Sequence, residues 1–319
     1  MADVFYSVRP AGAGSGNDLK VACNISISSG VATFSVAQTG DIGVGCYVTS
    51  DNVAGYISEM TDSTHAKIIT ATGGTHGNVS SEALGAIYHP YASLSDAEAG
   101  SGTLLGFTDL VTNTTKLYWP CYGATEDAGF SISGYTTSSD YKTIAFAVCG
   151  GNHSVNSWCC DGIWDTDKYT IVGTIIFKQS NIEVHGFQLE LQTSTEDWQS
   201  CIFSNSPYGQ TGQVIKDCII RCTSSGPGTG INFSYAGQTI VIENCIVYGF
   251  NNSSTSRGIS SPGGAAYIYN STVTDCSVGI GGSVYLVNCA VFNNTDDFSG
   301  AKTVTYTASD DNDISGTGN

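Results

Sequence analysis

Five short segments in the second half of the chain end alike: a polar residue, then Cys or Ser, then one residue, then Val, Ile or Phe. They are Ser200-Cys201-Ile202-Phe203, Asp217-Cys218-Ile219-Ile220, Asn244-Cys245-Ile246-Val247, Asn270-Ser271-Thr272-Val273 and Asn288-Cys289-Ala290-Val291. The Cys or Ser positions are 17, 27, 26 and 18 residues apart. A short unit recurring at a variable period of this size predicts a solenoid, because no single turn can bury its apolar face alone. In a strand, residues two apart share a face, so the Cys and the aliphatic residue point inward together as rungs of interior ladders. The Asn or Asp before them (Asp217, Asn244, Asn270, Asn288) belongs at a turn or on the outer face. The variable spacing falls in loops such as 223–230 and 251–264.

Composition fits such a coil. Charged residues are 12% of the 319, about half the usual share of roughly 25%. Long amphipathic helices need Lys, Glu and Arg on their wet faces, so they are disfavoured. Aromatics at 10% argue against disorder. Eleven Lys+Arg and a net charge of −17 exclude the cation clusters that nucleic acid or an anionic membrane surface would require. No apolar run is long enough to span a bilayer; Ile171–Phe177 is interrupted by Gly173 and Thr174. The opening MADVFYSVRP carries Asp3 and Arg9 and no apolar stretch of signal-peptide type, so cytosolic synthesis is expected. In so large a chain the 12 Cys are expected to be mostly reduced, buried small hydrophobes rather than a disulfide framework.

Three zones follow. Residues 1–19 hold a first strand, Val4–Val8, and a Gly-rich loop, Pro10–Asn17. Residues 20–86 alternate in short segments and predict a small inserted antiparallel β module. In it Ile25–Ile27 and Val31–Val36 flank a Ser28-Ser29-Gly30 hairpin turn. Residues 87–319 begin with a helix predicted between Ser93 or Ser95 as N-cap and Gly100 as terminator, with Asp96 and Glu98 in its first turn, and continue as the coils.

The repeats of 170–300, the opening Phe5-Tyr6-Ser7-Val8-Arg9-Pro10-Ala11-Gly12-Ala13-Gly14-Ser15-Gly16 and the segment Tyr91–Ala99 together resemble right-handed parallel β-helix proteins of the pectate-lyase-like class. In that class the segment at 91–99 corresponds to a short helix capping the first coil. The inserted module departs from the simplest members. The resemblance implies an all-β, right-handed parallel β-helix with a short N-terminal capping helix and a small inserted antiparallel β module. It does not select a function, since the class contains lyases, hydrolases, esterases, adhesins and phage virion proteins.

Lyases similar to this class use Arg or Lys as the base beside an acidic cluster holding Ca²⁺. Arg221, near Lys216 and Asp217, and the isolated Arg257 are the cations on offer, and solvated coil-edge charges is the preferred reading. Glycoside hydrolysis needs two carboxylates at a set separation. Asp165 with Asp167, Glu196 with Asp197 and Asp296 with Asp297 are possible pairs, each read first as turn residues. The ordered Asn-Thr-Asp, Asp-Asp and Gly-His-Gly set of the galacturonase-like members does not occur; Asn294–Asp297 comes too late in the chain, and His76-Gly77-Asn78 lies in the inserted module. Cys149, His153 and Cys159 have a spacing that Zn²⁺ would accept, although adjacent Cys159-Cys160 favours buried thiols or a local disulfide. Asp310-Asp311-Asn312-Asp313 offers hard oxygens for Ca²⁺ but lacks the EF-hand spacing, and reads first as an acidic tail. Tyr118, Trp119, Trp158 and Trp164 are the aromatic candidates for stacking on sugar rings, against a core-packing alternative.

These features lead to the expectation of a non-catalytic structural or surface-display β-helix protein. A phage virion component (capsid decoration, tail fibre or spike) that associates with itself or a virion partner fits best. No cofactor is required by this reading, though Ca²⁺ and Zn²⁺ remain open. The alternatives are a polysaccharide lyase or glycoside hydrolase using Arg221, Arg257, Asp165 or Asp167, and a glycan-binding adhesin.

Overall fold

Aliphatic ladders and a recurring left-handed corner build the second half of the molecule. The structure, a computed structural model, describes residues 1–10, 12–123, 126–148, 162–195, 199–204 and 210–311. Two units are distinguished: Met1–Asp127 with Tyr135–Cys159 and Thr166–Tyr169, and Ala128–Gly134 with Cys160–Asp165 and Thr170–Asn319.

The second unit is a parallel β-helix with three walls. The first wall stacks Gln188–Leu191, Ile219–Cys222, Ile246–Tyr248, Thr272–Thr274, Ala290–Phe292 and Ala308–Ser309. The second stacks Ile182–His185, Gln213–Lys216, Thr239–Glu243, the later halves of Arg257–Tyr269 and Val278–Val287, then Lys302–Thr305. The third stacks the end of Thr170–Phe177, Ser200–Ser204, Thr229–Phe233, the opening halves of those two long strands and Asp296–Ser299.

Each wall sends an in-register aliphatic ladder inward. On the second it is Val184, Ile215, Ile242, Ile268, Leu286 and Val304; on the third Ile175, Ile202, Ile231, Ile259, Ile280 and Phe298. On the first, Leu189, Ile220, Val247, Val273 and Val291 do the same. All are buried. Burying each such side chain contributes about 1.5–3 kcal/mol, and the gain exists only when the next coil covers it.

The corner between the second and first walls explains the sequence repeat. Asp217, Asn244, Asn270 and Asn288 all adopt the left-handed conformation, with φ between 50° and 55°, and Gly186 stands in the same column at φ 69°. Asn and Asp tolerate this region better than other L residues. Each backbone N–H in the column donates to the carbonyl before the next corner: Asp217 to Glu243, Asn244 to Tyr269, Asn270 to Val287 and Asn288 to Thr305, at 3.0–3.1 Å. The side chains link as well, Asn244 Nδ2 donating to Asp217 Oδ1 at 3.0 Å and Asn288 Nδ2 to Asn270 Oδ1 at 2.8 Å.

The next residue turns inward and caps the carbonyl two positions back. Cys218, Cys245 and Cys289 donate to Lys216, Glu243 and Val287 at 3.2, 3.2 and 3.4 Å, and Ser271 to Tyr269 at 2.8 Å. This shared role explains why Ser replaces Cys at 271. Cys201 does not belong to the column. It lies in Ser200–Ser204 on the third wall, so the repeat runs from the Gly186-Phe187 corner through Asp217-Cys218, and the 17-residue step from 201 is not a coil. The tripeptide pattern matched there without the left-handed corner that defines the register.

In the first unit, Ala2–Phe5, Thr115–Cys121 and Thr143–Ala147 pair in parallel. Seven strands between Asn24 and Tyr88 form an antiparallel sheet over a core that includes Ile25, Phe34, Ile57, Ile68 and Ile87. Ser29 and Gly30, at φ 52° and 78°, make the two-residue hairpin turn between Asn24–Ser28 and Val31–Phe34. Helix α1 spans Leu94–Leu105. Ser93 caps it, its Oγ accepting from Asp96 N at 3.0 Å, and the buried Asp127 carboxylate accepts from Leu94 N at 2.8 Å and from Tyr169 at 2.6 Å. The helix does not stop at Gly100. Its inward face of Leu94, Ala97, Ser101 and Leu105 carries it on to a left-handed Gly106, against a cost of about 1 kcal/mol for each interior glycine. No helix among the described residues is long and apolar enough to cross a membrane.

The corner makes a sharp prediction for urea denaturation. Asn244→Gly leaves stability nearly unchanged, whereas Asn244→Ala lowers it by about 1–2 kcal/mol through the left-handed penalty. Ile242→Ala, which removes one ladder rung, costs about 2–5 kcal/mol.

Candidate functional site

On the outer face of the first wall, Glu190, Arg221 and Tyr248 occupy successive rungs. The Arg221 guanidinium grips Glu190 Oε1 from both Nε (3.1 Å) and Nη2 (2.9 Å). Its other side is covered: Cζ lies 3.5 Å from the centre of the Trp164 ring, a close cation–π contact. Thr223 Oγ1 donates to Glu190 Oε1 at 2.8 Å and Gln192 Nε2 to Oε2 at 3.0 Å. The loop carrying Trp164 is clamped by Gln188, which accepts from Asp165 N and donates to Asp165 O, both at 2.6 Å.

Burial alone would raise the Glu190 carboxyl. The Gln192 amide, the Thr223 hydroxyl and the Arg221 charge outweigh it and hold the carboxyl below its ordinary value. Glu190 is therefore a fixed carboxylate, the opposite of a general acid, and the Arg221 charge is engaged by it. This arrangement fastens a loop to a wall.

The structure thus gathers three residues singled out in the sequence, Trp164, Asp165 and Arg221, and joins to them Glu190, which sequence reasoning missed. Glu190 sits 31 residues before Arg221, and only the register of the coil makes them neighbours. Arg257 lies elsewhere, opening a strand on the third wall with its side chain against the next coil, where a Cβ on Gly281 would stand 3.0 Å from Nη1. Lys216 pairs with Glu243 at 3.3 Å one rung on, and Asp217 is a corner residue. Asp167 is exposed.

Tyr118 is half-buried and stacks on Phe5 at 4.7 Å, while Trp119 is buried and donates from Nε1 to Ser101 at 2.9 Å. Trp119 therefore presents no face to a ligand. Trp158, Cys149, His153 and Cys159, and the pair Glu196 and Asp197, lie outside the described residues.

Near the end of the coil, carboxylate oxygens of Asp297, Asp310 and Asp311 lie within 4.8 Å of one another. Asp297 is buried and pushed upward by that burial; Ser309 and the Asp310 N–H donate to Oδ2, Asn294 donates to Oδ1, and the Asp297 N–H donates to Asp311. These oxygens would suit a hard cation. Their hydrogen bonds equally explain the cluster as a closure of the last corner.

The chain matches no family model, no curated protein and no solved structure.

Because the folded Glu190 carboxyl sits below its unfolded value, the stability it contributes is present above about pH 4.3 and is lost as pH falls through the folded value. Glu190→Gln should lower stability by about 1.5–3 kcal/mol at pH 7. The gap between variant and wild type, read by urea denaturation, should close as the solution is acidified.

Proposed function

We propose that this chain is a non-catalytic structural β-helix of the pectate-lyase-like class that associates, with itself or with a partner, in an assembly such as a phage virion. The observation that carries this reading is the apolar surface around the corner of the last coils. Tyr285 and Val287 on the second wall, Phe292 on the first and Tyr306 at the corner between them are all exposed, Tyr306 at 61%. Tyr285 stacks on Tyr267 one rung back, centroids 5.0 Å apart and nearly parallel. Large apolar side chains left exposed on neighbouring coils support an interaction surface, and a solenoid coil gains its burial from what covers it.

Two further observations support the reading. The best cation candidate for lyase chemistry, Arg221, is committed to Glu190 and Trp164. Among the described residues the cysteines are free and mostly buried, as suits folding in a reducing compartment before release. Burial holds Cys46 and Cys276 up to about 12, so these thiols are unreactive.

Sedimentation of the purified chain tests the association. Self-association that is abolished by Tyr285→Asp with Phe292→Asp, with the melting temperature retained, is the expected result. A monomer at every concentration that releases unsaturated or reducing-end products from a polysaccharide panel would replace this reading with the lyase or hydrolase one.

A further inference from the structure

In the first unit, the antiparallel sheet brings three tyrosines into one cross-strand row. Tyr47 is the register partner of Tyr56 on one side and of Tyr88 on the other, with ring centroids 5.0 and 5.3 Å away. The buried Tyr6 backs the row, edge-on to Tyr56 at 4.9 Å and to Tyr91 at 6.3 Å. Facing these rings is one side of α1, where Gly100, Thr103 and the exposed Leu104 recur at helical spacing. The space enclosed is an open cleft of about 560 Å³, floored by Tyr47, Tyr56 and Tyr88 and walled by Pro90 and Tyr91.

Gly100 makes room for it. A Cβ there would stand 2.6 Å from Tyr91 Cε1 and 2.8 Å from its hydroxyl, so the interior glycine that weakens the helix lets the Tyr91 ring lie against it.

We infer that this cleft binds a neutral saccharide, with the tyrosine rings stacking on pyranose C–H faces and the hydroxyls of the half-buried Tyr47 and Tyr88 meeting the sugar's hydroxyl edge. The volume falls within the range of small-ligand sites, roughly 300–1,000 Å³. None of the described lining residues is charged, and the one charge that acts on the lining, the Asp96 carboxylate near Tyr91, is negative, so the cleft offers no counter-ion to an acidic sugar. Burial holds Tyr91 up to about 12 and raises Tyr88, so both hydroxyls stay protonated at any physiological pH. Tyrosine rings beside the Thr103 hydroxyl give a lining of mixed character that suits a ligand with apolar faces and polar edges; the Tyr91 hydroxyl itself is buried. The site lies among Tyr47, Tyr56, Tyr88 and Tyr91, and owes nothing to the β-helix wall or to its association.

Saturation-transfer NMR on the full chain tests this with cellobiose, maltose and N,N′-diacetylchitobiose, beside oligogalacturonate and a proline-rich peptide. At least one neutral disaccharide should bind, with transfer strongest to its ring C–H protons. Tyr88→Ala should weaken binding roughly tenfold or more, and Gly100→Ala should weaken it by displacing Tyr91. Tyr285→Ala in the second unit should leave it unchanged, and unaltered melting of each variant shows that the fold persists. Binding of none of the neutral sugars, binding indifferent to Tyr88→Ala, or binding of only the peptide or the acidic sugar would overturn the inference.

Discussion

Stacking of aliphatic side chains on each wall, in register with the coils before and after, is the interaction on which the β-helix depends. Ile215, Ile242 and Ile268 are register partners on successive coils and all are buried. The ladder fixes where every other side chain lies, since a slip by one residue would turn the apolar set to solvent. The left-handed Asn and Asp corners hold that register. Their backbone bonds run from coil to coil, and the Cys or Ser after each adds a second donor to a carbonyl that already accepts from the corner of the preceding coil.

The same stacking decides the fate of the few charges. A parallel register sets Glu190 beside Arg221 and Lys216 beside Glu243, so opposite charges meet on adjacent rungs instead of facing an open groove. Of the 11 cations in the chain, Lys216 and Arg221 are engaged in this way. Low charge is a consequence of the architecture, whose interior takes Ile, Val and Cys and whose corners take Asn, Asp and Gly.

Much of this was legible in the residues. The Asn-Cys-Ile-Val pattern predicted a parallel coil, the Ser28–Gly30 turn its hairpin, and Ser93 its helix cap. What failed has physical reasons. Cys201 carries the same local letters as Cys218, but no left-handed corner precedes it, and a tripeptide does not encode wall identity. Gly100 reads as a helix stop by propensity, yet tertiary packing of Leu105 and Tyr91 overrides it. Trp119 and Tyr118 are adjacent letters of one aromatic run, and strand alternation sends only Trp119 fully inward. The tyrosine row was invisible because Tyr47, Tyr56 and Tyr88 become neighbours only through antiparallel register, which no local pattern announces.

Oxidative cross-linking reads the register of the coils directly. Tyr267 and Tyr285 are Cα partners on adjacent rungs, and Thr303 is the partner of Tyr285 one rung further. Adjacent strands lie about 4.8 Å apart, within disulfide reach, while two rungs span about 9.6 Å, beyond it. Mild oxidation followed by peptide mapping should therefore join positions 267 and 285 in Tyr267→Cys with Tyr285→Cys, and should leave 267 and 303 unjoined in Tyr267→Cys with Thr303→Cys. Failure of the first pair to link, or equal linking of the second, would contradict the coil described.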